Sequence, residues 1–169
     1  MKRGFTLIEV LVSIGVIAVL AAIAIPSLNI ARARADSAKC ISHLRSLGIS
    51  LNLYLSDHQM TMPDIEAARA STTDDVPVID NTIDTYVENK ATFACPAGRA
   101  AAQKSGTSYY FNSALRGQKT ANLSLFWLND QSKIPVLVDK EGWHKYVDDK
   151  VNHLFADGHA TNQLRLFTE

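Results

Sequence analysis

The sequence predicts an α+β fold in which one long N-terminal helix packs against a small antiparallel β-sheet. Two observations predict this fold. An apolar stretch near the N-terminus continues into a second stretch whose apolar residues recur at helical spacing. Short β-prone segments separated by turn residues then follow in the C-terminal half. The 169 residues suffice for one such domain and a membrane anchor.

The first element is an apolar segment over residues 5–26, which contains a single acid, Glu9. Its length corresponds to about 30 Å of helix, which matches the hydrocarbon core of a bilayer. The basic residues Lys2 and Arg3 precede it, so the N-terminus is predicted to stay in the cytoplasm and the rest to lie outside. We therefore expect a single-pass protein of the inner (cytoplasmic) membrane with a periplasmic C-terminal domain.

A cleaved secretory signal peptide is the main alternative for this segment. Two features argue against it. Glu9 interrupts the apolar stretch at its start, and Pro26-Ser27 leads into more helix-compatible sequence where a small-residue cleavage site would be expected. An ionised carboxylate is costly in hydrocarbon, so Glu9 needs either a partner or a place at the interface.

The residues Gly4-Phe5-Thr6-Leu7-Ile8-Glu9, followed by the apolar run and Pro26, resemble the N-terminal signature of type IV prepilins and type II secretion pseudopilins. The resemblance implies a pilin-like fold. It also implies a leader at residues 1–4, which prepilin peptidase removes between Gly4 and Phe5 before methylating the Phe5 amine. Glu9 of one subunit would then pair with the Phe5 amine of the next, and this pairing offsets much of the cost of either charge in hydrocarbon. Pro26 would bend or loosen the helix.

The resemblance further implies a structural pseudopilin subunit, not an enzyme, in the periplasmic pseudopilus of a type II-like protein secretion system. Its implied partners are copies of itself, other pseudopilins, prepilin peptidase, an inner-membrane assembly platform and membrane lipid. One alternative is a type IV pilin for adhesion, motility or DNA uptake. The other is a single-pass membrane-anchored binding domain, which would have no use for the Gly4-Phe5 junction or for Glu9.

The helix is predicted to continue over residues 27–57 as an amphipathic half. Apolar residues recur there at steps of three and four and form one stripe, which needs a covering layer. The stripe consists of Ile41, Leu44, Leu47, Leu51 and either Tyr54 or Leu55.

The remaining residues, 58–169, are predicted to form the globular α+β domain. Strands are expected over 107–112 and 134–139, and a hairpin over 152–161 turns at Asp157-Gly158 through a type I′ turn. Outside the sheet we expect a short helix over 65–70 capped by Asp64, a loop over 100–106, and a final strand or tail containing Leu164, Leu166 and Phe167. The pattern leaves residues 78–90 and 123–128 undecided.

The C-terminal string Phe155-Ala156-Asp157-Gly158-His159 is similar to a motif of a large pseudopilin-like group. Members of that group often carry a His that is separated from Asp-Gly by nine residues. Here Val147 stands at that place, and twelve residues separate His144 from Asp157. Taken with Cys40, Cys95-Pro96 and Ser108-Tyr109, the motif implies the pilin class without identifying the machine.

Composition argues against nucleic-acid binding and predicts one disulfide bond. Seventeen basic and seventeen acidic side chains balance, so no overall charge favours nucleic acid. The chain has two cysteines, Cys40 and Cys95, and a lone pair in an exported domain predicts a disulfide. Two buried thiols, or half of a metal site, are the alternatives.

Chemical motifs are sparse. Hydrolase elbows, phosphate-binding loops and His-Glu-x-x-His are absent from the sequence, which argues against an enzyme. Several potential metal ligands cluster between His144 and His159, where His and carboxylate ligands would suit zinc. Asp139 with Asp148 and Asp149 would suit calcium. We expect no cofactor, with calcium as the alternative, and no metal site, with Asp148, His153 and Asp157 as the candidate ligands should a metal bind.

Overall fold

The computed structural model describes residues 6–147 and 149–164, and it confirms the α+β class. Helix α1 spans Leu7–Asp57 and packs its second half against a four-stranded antiparallel sheet. The strands are β1 (Tyr109–Phe111), β2 (Pro135–Asp139), β3 (His153–Phe155) and β4 (Ala160–Thr161). They lie in the order β1-β2-β3-β4, so every strand pairs with its neighbour in sequence.

The predicted apolar stripe of α1 forms the interface with the sheet. Leu44, Leu47, Leu51 and Leu55 are buried, and Ile41 and Tyr54 pack against the edge of the same core. Full burial of each leucine contributes about 1.5–3 kcal/mol. This face supplies much of the apolar contact that joins helix to domain.

The β-strand predictions are confirmed, and the pairing register shows why apolar residues in these segments predicted strands. Phe111 pairs with Leu137, and Leu137 pairs with Leu154, so buried apolar side chains line one core face. The register shifts between Pro135 and Leu137, where proline cannot donate to the ladder.

The hairpin between β3 and β4 is present, but its turn differs from the predicted type. Gly158 has φ +89°, whereas Asp157 does not have positive φ. The Gly158 N–H donates to the Phe155 carbonyl at 2.9 Å, and the Phe155 N–H donates to the His159 carbonyl at 2.9 Å. The loop therefore has three residues and places glycine in the left-handed position, a common alternative to the two-residue type I′ turn.

Two predictions outside the sheet are wrong. Residues 100–106, expected as a loop, belong largely to helix α3 (Arg99–Ser105), because three consecutive alanines favour helix and Gly106 ends it at φ +87°. Residues 65–70, expected as a helix, are not helical. The carboxylate of Asp64 caps nothing; it accepts a hydrogen bond from Arg116 at 2.9 Å.

The segment after Asp64 instead runs along the outer side of β1. The Phe111 N–H donates to the Ala67 carbonyl at 3.0 Å, and the Glu66 N–H donates to the Pro77 carbonyl at 2.8 Å. These hydrogen bonds satisfy backbone N–H and C=O groups that would otherwise be paired within a helix. The segment thus covers an edge of the sheet.

The undecided regions have simple structures. Residues 78–90 contain the short helix α2 (Ile79–Thr82) and a 3₁₀ turn over Asp84–Tyr86. Within 123–128, Leu125 and Leu128 exchange two backbone hydrogen bonds around a tight turn in which Phe126 has φ +54°. Leu164 lies outside any strand, and Leu166 and Phe167 lie outside the described residues.

Candidate functional site

The first candidate site is the start of α1. Thr6 is the N-cap residue, and its side chain accepts a hydrogen bond from the Glu9 N–H at 3.3 Å. In return, the Thr6 N–H and Oγ1 each donate to Glu9 Oε2 at 2.8 Å. This reciprocal capping box satisfies donors that a helix N-terminus leaves without partners. The predicted cleavage residues Gly4 and Phe5 lie outside the described residues.

The capping box provides the Glu9 carboxylate with hydrogen-bond donors from its own chain. Both hydrogen bonds from Thr6 end on Oε2. A carboxylate has two oxygens with several acceptor positions, so Glu9 can accept a further donor while it caps the helix. Capping and pairing with a neighbouring amine are therefore compatible.

The first half of α1 presents apolar side chains to its surroundings. Within the described residues, α1 is the one helix long and apolar enough to cross a membrane, and its most apolar window is not buried in the protein. The core helix of a soluble domain would be buried instead. The exposed apolar residues of this half are Leu7, Ile8, Val10, Leu11, Val12, Ile14, Val16, Ile17, Val19, Leu20, Ile23, Ile25 and Leu28.

Pro26 lies inside α1, and the helix continues through it. Proline cannot donate a backbone hydrogen bond to the preceding turn. Next to it, the Ser27 hydroxyl donates to the Ile23 carbonyl at 3.2 Å and adds a polar contact to that turn. The softening expected at Pro26 stays a prediction for an assembled state.

The second candidate site is a buried polar cluster that joins α1 to the sheet domain. Its members are Cys40 in α1, Cys95 before a 3₁₀ turn, Asp139 at the end of β2 and His144 in the loop that follows. One potential ligand atom from each residue lies within 4.8 Å of all the others. The most exposed of the four residues, Asp139, is only 3% exposed.

Short contacts connect the members of the cluster in a chain. The Cys40 thiol donates to Asp139 Oδ1 at 3.1 Å. His144 Nε2 lies 3.2 Å from Asp139 Oδ2 and 3.5 Å from Cys95 Sγ. Hydrogen bonding with Cys40 and with His144 lowers the pKa of the Cys95 thiol, although burial opposes the shift. Burial alone would lower the pKa of His144, but hydrogen bonds to Asp139 and Cys95 outweigh it and raise the pKa to about 9.

The local sequence explains how each member is held. The Cys95 N–H donates to Ser108 Oγ at 3.1 Å, and the Ser108 hydroxyl donates to the Gly98 carbonyl at 2.8 Å. Position 98 requires glycine, because the Trp143 ring occupies the place where a Cβ atom would stand. This close approach fixes the loop that carries His144.

The expected disulfide is not formed in this structure, where Cys40 and Cys95 are free buried thiols. The prediction correctly brought the two cysteines together, since both belong to the cluster. It did not foresee that a carboxylate and an imidazole lie beside them. Sequence distance hid this arrangement, because the four residues come from four separate segments of the chain.

The candidate metal ligands His153 and Asp157 do not belong to that cluster. Asp157 Oδ1 accepts from the His159 backbone N–H at 3.0 Å and lies 2.6 Å from His159 Nδ1, so it serves the hairpin turn. His153 is buried in β3, and burial lowers its pKa. Asp148 lies outside the described residues. The signal that could have indicated the actual cluster was Asp139, an acid that ends an otherwise apolar strand.

Comparison with known proteins agrees with the N-terminal features. Residues 1–25 match the family model described as the prokaryotic N-terminal methylation motif. The chain is 39% identical over 57 residues to type II secretion system core protein G of Pectobacterium carotovorum subsp. carotovorum, covering 34% of this chain and 36% of that protein. It is likewise 39% identical over 57 residues to the protein of the same description in Escherichia coli (strain K12), covering 39% of the relative.

The chain thus spans little more than a third of the length of these curated relatives. No solved structure matches it. The methylation motif at the N-terminus is therefore established by comparison, and the architecture of the C-terminal domain by the structure itself.

Proposed function

We propose that this chain, which carries the prokaryotic N-terminal methylation motif, is a structural pseudopilin subunit and not an enzyme. One observation carries the proposal. The motif at residues 1–25 includes the start of helix α1, whose apolar first half is exposed along its length. Such a surface needs lipid before assembly and neighbouring helices after it.

In this proposal, prepilin peptidase cuts between Gly4 and Phe5 and methylates the Phe5 amine. The new ammonium then pairs with Glu9 of an adjoining copy. Glu9 keeps its bonds to Thr6, and its remaining acceptor positions receive the amine. A buried charge left without a partner is strongly unfavourable, so the pairing fixes the register between subunits.

The sheet domain lies on the far side of the membrane from the N-terminus, and α1 joins it to the filament core. Its likeness to two core proteins G of type II secretion systems supports a pseudopilus. The partners would be copies of this chain, other pseudopilins, prepilin peptidase, the inner-membrane assembly platform and lipid. Pro26 would let the helix adjust when subunits pack together.

The test is deletion of the gene in its native host, with complementation by the wild-type chain. A pseudopilin predicts that specific proteins disappear from the culture medium and return on complementation. Unchanged export with loss of surface filaments or of DNA uptake would instead identify a type IV pilin. No change in export, filaments or uptake would contradict a filament subunit and favour an anchored binding domain.

A further inference from the structure

We propose that Cys40, Cys95, Asp139 and His144 bind one Zn²⁺ ion, which fastens the long helix to the sheet domain. The cluster stands apart from the assembly segment, and neither the methylation motif nor filament formation explains it. Four buried side chains of ligand type, drawn from α1, the turn after Cys95, the end of β2 and the following loop, converge on one point.

The distances between the ligand atoms suit a tetrahedral site. Zinc binds sulfur at about 2.3 Å and nitrogen or oxygen at about 2.0 Å, which puts neighbouring ligand atoms about 3.3–3.8 Å apart. Cys95 Sγ and His144 Nε2 are 3.5 Å apart, and His144 Nε2 lies 3.2 Å from Asp139 Oδ2. Cys40 Sγ lies 3.1 Å from Asp139 Oδ1. Small adjustments would complete the tetrahedron.

The ligand types select the metal. Two thiolates and one imidazole favour zinc, whereas calcium and magnesium take oxygen ligands. All four residues are buried, which leaves no open position for water or substrate. A closed four-ligand site of this kind is structural, not catalytic.

Hydrogen bonds from outside the cluster hold the Asp139 carboxylate in place. The Asn152 N–H and Nδ2 donate to Asp139 Oδ2 at 2.8 and 2.9 Å, and the Ser37 hydroxyl donates to Asn152 Oδ1 at 3.2 Å. Metal sites depend on such support to orient their ligands.

Charge supplies a further argument for a cation. A buried carboxylate and buried thiolates are costly without positive charge nearby. His144 alone offers at most one positive charge, whereas Zn²⁺ offers two and lets both cysteines ionise. The site would replace the disulfide predicted for these cysteines, because a sulfur engaged in a disulfide cannot act as a thiolate ligand.

The test uses the full chain, extracted from native membranes in detergent and purified without chelator. Metal analysis should find about one zinc per chain. After removal of the metal under reducing conditions, Co²⁺ should bind and give the ligand-field and sulfur charge-transfer bands of a tetrahedral thiolate site. Zn²⁺ should then displace Co²⁺ and abolish these bands.

Variants locate the site. Cys95→Ser and His144→Ala should each weaken Zn²⁺ binding at least tenfold. The matched control His159→Ala removes a histidine that pairs with Asp157 in the hairpin turn, so it should bind zinc as the wild type does. Equal zinc retention by Cys95→Ser and by the control would mean adventitious binding and would overturn the proposal.

Two measurements on the wild-type protein test the zinc site without depending on whether a variant folds. Peptide mapping without reductant shows whether Cys40 and Cys95 are joined, and a predominant Cys40–Cys95 disulfide in protein from native membranes would overturn the proposal. Wild-type protein that is reduced, yet takes up neither Zn²⁺ nor Co²⁺, would overturn it as well. Free thiols with the tetrahedral Co²⁺ spectrum would support it even if every variant failed to fold.

Discussion

Gly48 in α1 lies directly against Leu154 in β3, so that a Cβ atom at position 48 would stand 3.0 Å from Leu154 Cδ1. The contact lies in the middle of the buried stripe, between Leu47 and Leu51. Glycine here lets the backbone of the long helix approach the sheet closely. The position therefore reports on the packing that joins helix to domain.

Gly48→Val should destabilise the chain by about 1–3 kcal/mol, because the added methyl groups overpack this contact. Urea unfolding followed by tryptophan fluorescence in detergent would measure the change. The double variant Gly48→Val/Leu154→Ala should be at least about 0.5 kcal/mol more stable than the sum of the two single effects. Strict additivity would show that the two side chains do not compete for the same space.

Arg69→Leu should destabilise the chain by about 3–5 kcal/mol, since it leaves the Asp80 carboxylate buried without its partner. The Arg69 Nη2–Asp80 Oδ2 distance is 2.5 Å, and both side chains are about nine-tenths buried. The exposed pair of Arg116 with Asp64 provides the control, because Arg116→Ala should cost less than about 1 kcal/mol. Equal losses in both variants would contradict this assignment.

The loss in Arg69→Leu should also depend on pH. Burial raises the pKa of Asp80, and the charge of Arg69 opposes that rise. Without Arg69 the folded-state pKa rises further above its unfolded value of about 3.9. A group with a raised folded pKa stabilises the fold below its unfolded pKa and loses that contribution as pH rises through its folded pKa. The stability deficit, measured by urea unfolding, should therefore be smallest at acidic pH and grow towards neutrality; a deficit independent of pH would contradict this.

Glu9→Ala should leave processing intact but reduce assembled filament more than about tenfold, because an amine without its partner costs about 3 kcal/mol or more. The structure adds a control, since Glu9 also caps α1 through Thr6. Thr6→Ala removes the cap and keeps the carboxylate, so it should cost only about 1 kcal/mol of helix stability and assemble far better. Immunoblots of the processed form and of sheared filaments would compare them. Equal defects would assign Glu9 to capping alone.

Gly4→Val should block cleavage, because the proposed cut between Gly4 and Phe5 places this residue directly at the peptidase's cleavage site. The unprocessed chain should accumulate in the membrane, where mass spectrometry would find Met1 at the N-terminus. Lys2→Gln keeps Arg3 and Gly4 and should still be processed. An N-methylated Phe5 terminus in Gly4→Val would contradict the prediction.

The sequence predicts elements well where local pattern and tertiary packing agree. The leucine stripe of α1 and the apolar strands ending at Asp139 and Phe155 keep their predicted form, because each has one face in the core. Residues 65–70 follow backbone bonds to β1 that no local pattern reveals. The alanines and Gly106 indicate helix α3, but the polar residues at its ends are typical of a loop, and residues 100–106 were predicted as one.

The polar cluster shows what sequence reasoning misses at a site. Cys40 and Asp139 are separated by most of the globular domain in sequence, yet their side chains meet at 3.1 Å. The sequence predicted a disulfide between the two cysteines. Separately, it indicated a group of histidines and acids near the C-terminus as possible metal ligands. Only the fold brings one member of that group, His144, to the cysteines.

The most direct test of the proposed function is the mass of the N-terminal peptide of wild-type protein isolated from native membranes. The account predicts a chain that begins at Phe5 and carries one methyl group on its amine. A chain that retains residues 1–4 and begins at an unmodified Met1 would contradict it.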